Sequence, residues 1–175
     1  MNKIFYPRYD VEHCTLDQRK IFKYGVIQKI IGINRHVPWI VHYTATVRYP
    51  NRINFGKGSH VGYSRNSYFD ARNGIEVGEN VLFATGVSLI SMSHDPHNYE
   101  LYTEDDPIII GKNSWIAQNA IILSGVELGE HTVVAAGAVV TKSFPEGNQI
   151  LGGVPAKVIK KLGNYTGRFA SDDDK

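Results

Sequence analysis

The stretch "SMSHDPHNYELYTEDDP", residues 91–107, holds two imidazoles, His94 and His97, ahead of a run of carboxylates. Histidine has an unperturbed pKa of about 6.5, so near neutral pH it can take up a proton and return it. That is the chemistry of a general base. Two imidazoles three residues apart could also open a metal site, but such sites need three or four converging ligands. The other candidates, His42, His60 and His131, fall in different phases of the pattern described below, so no metal is expected. Asp95 adjoins His94, yet neighbouring side chains of an extended segment point apart. A backbone carbonyl or a residue of another strand is an equal candidate for orienting the ring. Glu104, Asp105 and Asp106 read as a solvated loop face.

This segment interrupts a repeat. In "IGKNSWIAQNAIILSGVELGEHTVVAAGAVV" aliphatic residues recur every six positions: Ile110, Ile116, Ile122, Leu128, Val134 and Val140. The next position is small at Gly111, Ala117, Gly129 and Ala135, and a second restricted position holds Ser114, Ala120, Val126, Thr132 and Ala138. A helix spaces its apolar residues by 3.6 and a lone strand by 2. A six-residue spacing fits only if short strands turn a corner each time, three to a turn, stacking the aliphatic positions into an inner column. That is a parallel β-helix, an all-β fold. The same phase recurs at Val77, Phe83 and Leu89, and earlier at Phe55 and Val61. The blocks are out of register, which predicts two insertions looping outward, "SYFDARNGI" and the histidine-bearing segment, because stacked repeats tolerate loops and not broken columns.

Upstream, "TLDQ" reads as a capping box with Thr15 as N-cap and Gln18 as N3. Phe22, Val26, Ile27, Ile30 and Ile31 follow at helical spacing, with Gly32 as the stop. We expect an amphipathic helix docked on the end of the β-helix, with Arg19, Lys20, Lys23 and Lys29 on its solvated face. Membrane contact through that basic face would be peripheral at most. Residues 33–52 read as extended, Pro38 and Pro50 limiting helix. The expected organisation is an N-terminal appendage over 1–52, a β-helix over 53–162 and a C-terminal tail over 163–175.

Composition narrows the function. The 175 residues carry 19 Lys+Arg against 17 Asp+Glu, a formal charge of +2 that offers no global field for nucleic acid. A single cysteine, Cys14, forms no intrachain disulfide, and neither a membrane-length apolar run nor a signal-peptide core is present. A soluble, cytoplasmic protein is expected. The closing "SDDDK" is acidic and of low complexity, and no function is assigned to it.

The hexapeptide pattern, "SMSHDP", "GAVVTKSFPEGNQILGGVPAKVIKKL" and "GINRHVPWIVH" together resemble the left-handed β-helix acyltransferases, most closely the bacterial polysaccharide O-acetyltransferases related to the maltose and galactoside enzymes. The resemblance covers residues 30–162. It implies a left-handed coil, a homotrimer with active sites between subunits, and acetyl-CoA as co-substrate. It places His94 as general base and Asp70 near the acceptor sugar, with Tyr63, Ser64 and Arg65 lining that end. The galactoside and maltose enzymes carry an Asn ahead of this Asp. Here "VGYSRNS" has a different spacing, which favours a bulkier glycan. For the donor the resemblance implies Trp115, Gln118, Ala136, Thr141 and Lys142 along the pantetheine arm, with Lys157 and Lys160 at the nucleotide end, where phosphate attracts charge-assisted bonds. The expected activity is transfer of an acetyl group to a saccharide hydroxyl. Its rivals are N-acetylation of an amino sugar, a carbonic-anhydrase-like metal enzyme, and a noncatalytic scaffold subunit.

Overall fold

The computed structural model describes residues 18–167. Helix α1 (Gln18–Val26) runs into a π-helical turn at Ile27–Ile31 and stops at Gly32, whose left-handed φ of 89° lets its N–H reach back to Ile27 O. Turn one of the coil contains β1 (Thr46–Arg48) and β2 (Ile53–Phe55), joined by a 3-10 turn at Pro50–Arg52, then passes the third wall at Val61 without a strand. Turn two contains β3 (Tyr68–Asp70), β4 (Ile75–Val77) and β5 (Leu82–Phe83). Turn three has β6 (Ser88–Ile90), an extruded pair β7 (His94–Asp95) and β8 (Asn98–Tyr102), then β9 (Ile108–Ile110) and β10 (Trp115–Ile116). Turn four is β11 (Ile121–Leu123), β12 (Glu127–Leu128) and β13 (Thr132–Val134), and turn five is β14 (Val139–Val140) and β15 (Gln149–Gly153). β16 (Ala156–Lys161) folds back antiparallel on β15.

The walls are three sheets, parallel apart from that last strand: β1-β3-β6-β11-β14, β2-β4-β9-β12, and β5-β10-β13-β15-β16. We call them A, B and C. Their registers put Val47, Phe69, Leu89, Ile122 and Val140 in one column, Val77, Ile110 and Leu128 in a second, and Phe83, Ile116, Val134 and Leu151 in a third. All of these are buried. Removing each such side chain from water contributes about 1.5–3 kcal/mol, and together they are the core. The six-residue period therefore reads out as predicted, with a regular turn of eighteen residues from Ile122 to Val140.

The small positions have a steric cause. At the corner after sheet B, successive turns stack backbone on backbone. A Cβ on Gly111 would meet Glu130 N at 2.4 Å, and one on Gly129 would meet Gly147 N at 2.4 Å. Backbone cannot yield as a side chain can, so only glycine lets these turns close to ladder distance.

Three expectations change. First, "SYFDARNGI" is not an outward insertion. Phe69 is fully buried and occupies the sheet A column between Val47 and Leu89. The shift of phase comes from two corners, each slightly longer than usual, on either side of β3. Second, the helix docks by a different face. Ile21, Tyr24 and Gln28 are buried, while Phe22, Ile30 and Ile31 are 74%, 78% and 66% exposed. The π-helical turn rotates the residues after Val26 out of α-helical phase, and Gln28 locks the result. Its Nε2 lies 2.8 Å from Val37 O and 2.9 Å from Trp39 O, and its Oε1 accepts from Val41 N at 3.4 Å. Third, the coil begins at β1, ahead of the boundary expected at residue 53, and residues 33–36 form turns rather than extended chain. Trp39 then closes this end, its Nε1 donating to Val61 O at 2.9 Å and its ring against Phe55 at 5.0 Å. The expected cap at Thr15, Cys14 and the acidic tail lie outside the described residues.

Candidate active site

His94 stands on the hairpin that leaves the coil where sheet A hands over to sheet B. β7 and β8 pair antiparallel, with His94 opposite Tyr102. Asp95 Oδ1 accepts from His97 N at 2.7 Å, the local bond by which an Asp reverses a chain. Asp95 thus serves the turn and does not orient His94. At the neck Thr103 N donates to Ser93 O at 2.9 Å. Every residue of β8 is exposed, so the hairpin stands in solvent.

The orienting group is a backbone carbonyl. His94 Nδ1 lies 2.6 Å from Tyr99 O. A carbonyl oxygen only accepts, so the contact keeps the proton on Nδ1 and leaves the lone pair on Nε2. The imidazole is exposed and packs on the Tyr102 ring, centroids 4.5 Å apart at 37°. The guanidinium of Arg72 lies 4.8 Å from the centroid of that same ring, within cation–π range. Arg72 is in turn held by Asp70 at the end of β3: Nη2 donates to Oδ2 at 2.8 Å, and Nε is 3.1 Å from each oxygen. The Asp70 side chain is 1% exposed, and Arg48 at 3.8 Å and Tyr68 Oη at 3.4 Å complete its surroundings. Hydrogen bonding to Asp70, opposed by burial and assisted by Tyr102, raises the Arg72 pKa above its ordinary value. A series Asp70, Arg72, Tyr102, His94 therefore runs from the rigid wall to the imidazole.

Asp70 and His94 lie at one corner, linked through Arg72 and Tyr102. Both Asp70 oxygens are engaged by Arg72, so direct contact with a ligand requires Arg72 to move. The other acceptor candidates lie at the corner between sheets C and A, in turn one. There Ser64 Oγ donates to Phe83 O at 2.6 Å, Tyr63 packs on Tyr24 at 5.4 Å, and Arg65 is exposed. Gln118 and Ala136 are exposed further along that corner, Gln118 O accepting from Gly137 N at 2.9 Å. Trp115 projects outward from sheet C, between Leu82 and Val133 in register, and is 49% exposed. Thr141 and Lys142 follow β14 at the His94 corner, with Lys142 Nζ 5.6 Å from the Phe144 ring centroid. Lys157 and Lys160 are exposed on β16, opposite Gly152 and Ile150.

Sequence reasoning missed Arg72 and Tyr102. Arg72 sits two positions after Asp70, a spacing that returns a side chain to the same face of an extended chain, and that signal was available. Tyr102 needed the hairpin register, which a turn centred on "DPHN" hints at without fixing. Among the described residues no group of three His, Cys, Asp or Glu could hold a metal ion, and no helix is long and apolar enough to cross a membrane.

Residues 107–142 match the family model described as bacterial transferase hexapeptide (six repeats). The galactoside O-acetyltransferase of Escherichia coli K12 is 34% identical over 75% of this chain and 68% of its own. Among solved structures, a maltose O-acetyltransferase of Clostridium difficile 630 matches at TM-score 0.60 and 31% identity, covering 68% of this chain and 65% of that one. A hexapeptide-repeat acetyltransferase of Vibrio cholerae complexed with acetyl coenzyme A matches at TM-score 0.54 and 23% identity over 69% of each chain, a likeness of fold. The chain thus spans about two thirds of the length of these relatives. It belongs to the hexapeptide-repeat acetyltransferases, and its coil is their left-handed parallel β-helix.

Proposed function

We propose that this protein transfers an acetyl group from acetyl-CoA to a hydroxyl of a saccharide in cell-surface polysaccharide synthesis, in the cytoplasm, with His94 as general base. The observation that carries the reading is the His94 tautomer, Nδ1 tied to Tyr99 O and Nε2 exposed with its lone pair. In this scheme both substrates are bound together. Nε2 takes the proton of the acceptor hydroxyl as its oxygen attacks the thioester carbonyl. The tetrahedral intermediate collapses, the C–S bond breaks, and the imidazolium returns the proton to the departing thiolate. The products are an acetyl ester and free coenzyme A, with the histidine restored.

In this reading Asp70 positions Arg72, whose guanidinium faces the acceptor. Trp115, Gln118, Ala136, Thr141 and Lys142 flank the pantetheine arm, and Lys157 and Lys160 meet the phosphates. Tyr63, Ser64 and Arg65 occupy a different corner of the coil from His94, and so do Gln118 and Ala136. That separation supports a homotrimer in which one chain's His94 faces another chain's C–A corner.

The test is His94→Ala. Removal of a general base lowers turnover by about 10²–10⁴, with acetyl-CoA affinity unchanged by calorimetry and an alkali-labile product from the parent enzyme. Turnover equal to the parent's would remove His94 from the chemistry.

A further inference from the structure

The two ends of the coil differ in charge. Residues 18–69 hold nine lysines and arginines and no aspartate or glutamate, whereas residues 70–167 hold six against eleven. The first segment is α1, the loop that Trp39 anchors, and turn one, so the cations gather at one end of the molecule. Lys20, Lys23 and Arg35 are exposed there, and the cations of this end reach one another's neighbours: Arg65 and Lys23 add to burial in lowering the His42 pKa. The same end exposes apolar bulk. Phe22, Ile30, Ile31 and Ile33 are 74%, 78%, 66% and 43% exposed, the helix docking instead through Ile21, Tyr24 and Gln28. Monomeric proteins seldom present such side chains together without a use.

We infer that this end docks on the surface of an anionic lipid bilayer, its cations against the headgroups and Phe22, Ile30 and Ile31 among the upper acyl carbons. Cations with large apolar side chains between them are the composition of helices that lie in a membrane interface. A soluble polyanion would satisfy the cations and leave the apolar groups in water. A second copy apposed through this face would set Lys20, Lys23 and Arg35 against the same cations of its neighbour. Residues 1–17 and 168–175 together carry six acids and four bases, too little net charge to neutralise it. The inference stands apart from the acetyl-transfer reading, because vesicle binding needs no turnover.

The experiment is co-sedimentation of the full chain with vesicles of phosphatidylcholine, with and without phosphatidylglycerol. Binding is expected only to the anionic vesicles and is weakened by salt. Lys20→Gln with Lys23→Gln should reduce it about 30-fold, since each basic residue near an anionic surface contributes about 1 kcal/mol. Phe22→Ser with Ile30→Ser should reduce it at least comparably, and neither pair should alter melting temperature, oligomeric mass or transfer to a soluble acceptor. Absent binding, or equal binding to uncharged vesicles, overturns the inference. Unchanged binding by the serine pair would mean a site for soluble polyanions. A changed mass would mean an interface between copies, and a lowered melting temperature would mean a patch covered by the chain itself.

Discussion

Asp70 and Arg72 show how one residue carries charge from the core to the surface. The carboxylate is buried at the end of β3 and its oxygens are matched by a guanidinium whose side chain is 18% exposed. Breaking a buried pair by removing one partner leaves an uncompensated charge and costs about 3–5 kcal/mol. Because Arg48 at 3.8 Å and Tyr68 at 3.4 Å remain beside Asp70, Arg72→Met should lower stability by less than that full amount in urea titration at pH 7, while Arg72→Met with Asp70→Asn should recover much of it. A double variant as unstable as the single one would show that the pair contributes packing rather than charge. At this scale the sequence marked His94 as a candidate through its place in "SMSHDP", the motif shared with the resembling family, since a lone loop histidine carries little signal of its own. For Arg72 only the spacing from Asp70 was legible; its link to the imidazole was not, because that depends on where a tyrosine thirty residues later folds back.

The hairpin is the element that turns this arrangement into a site. It is tied to the coil at its neck by Thr103 and at its face by Arg72 on the Tyr102 ring; no residue of β8 is buried. If those rings hold His94 in place, Tyr102→Leu should lower kcat about tenfold or more, in keeping with the cost of misplacing a catalytic group, and leave the KM for acetyl-CoA unchanged. Tyr102→Phe should retain most of the rate. A rise in KM with constant kcat would instead make Tyr102 a binding group. The columns at this scale were readable from period alone, because size restriction at Gly111 and Gly129 is imposed by neighbouring backbone and so repeats in sequence. The phase of α1 was not. A π-helical turn inserts no recognisable residue, and the side chain that fixes the docking, Gln28, is polar and would be assigned to the surface by any apolar pattern.

Across the whole molecule, stability to acid should be set at the cationic end. His60, in turn one, has its pKa pushed down to about 4 by burial. His42, fully buried beside Tyr24 with rings 4.7 Å apart, is also lowered, first by burial and then by Arg65 and Lys23. Both are neutral in the folded state, while in the unfolded chain they titrate near 6.5. The unfolded state therefore binds more protons between these values. Stability is fully present above about pH 6.5 and falls as the pH drops toward 4. For His60 the loss is at most about 3–4 kcal/mol, at 1.36 kcal/mol per unit. Urea midpoints of the parent and of His60→Phe, measured from pH 7.5 to 4, should diverge in slope below pH 6.5, the variant being flatter. Parallel curves would place the acid sensitivity away from His60. The direction matters for docking as well. Protonation of His42 and His60 adds positive charge to the end that already carries nine cations, so acid that loosens this cap also strengthens its attraction to an anionic surface.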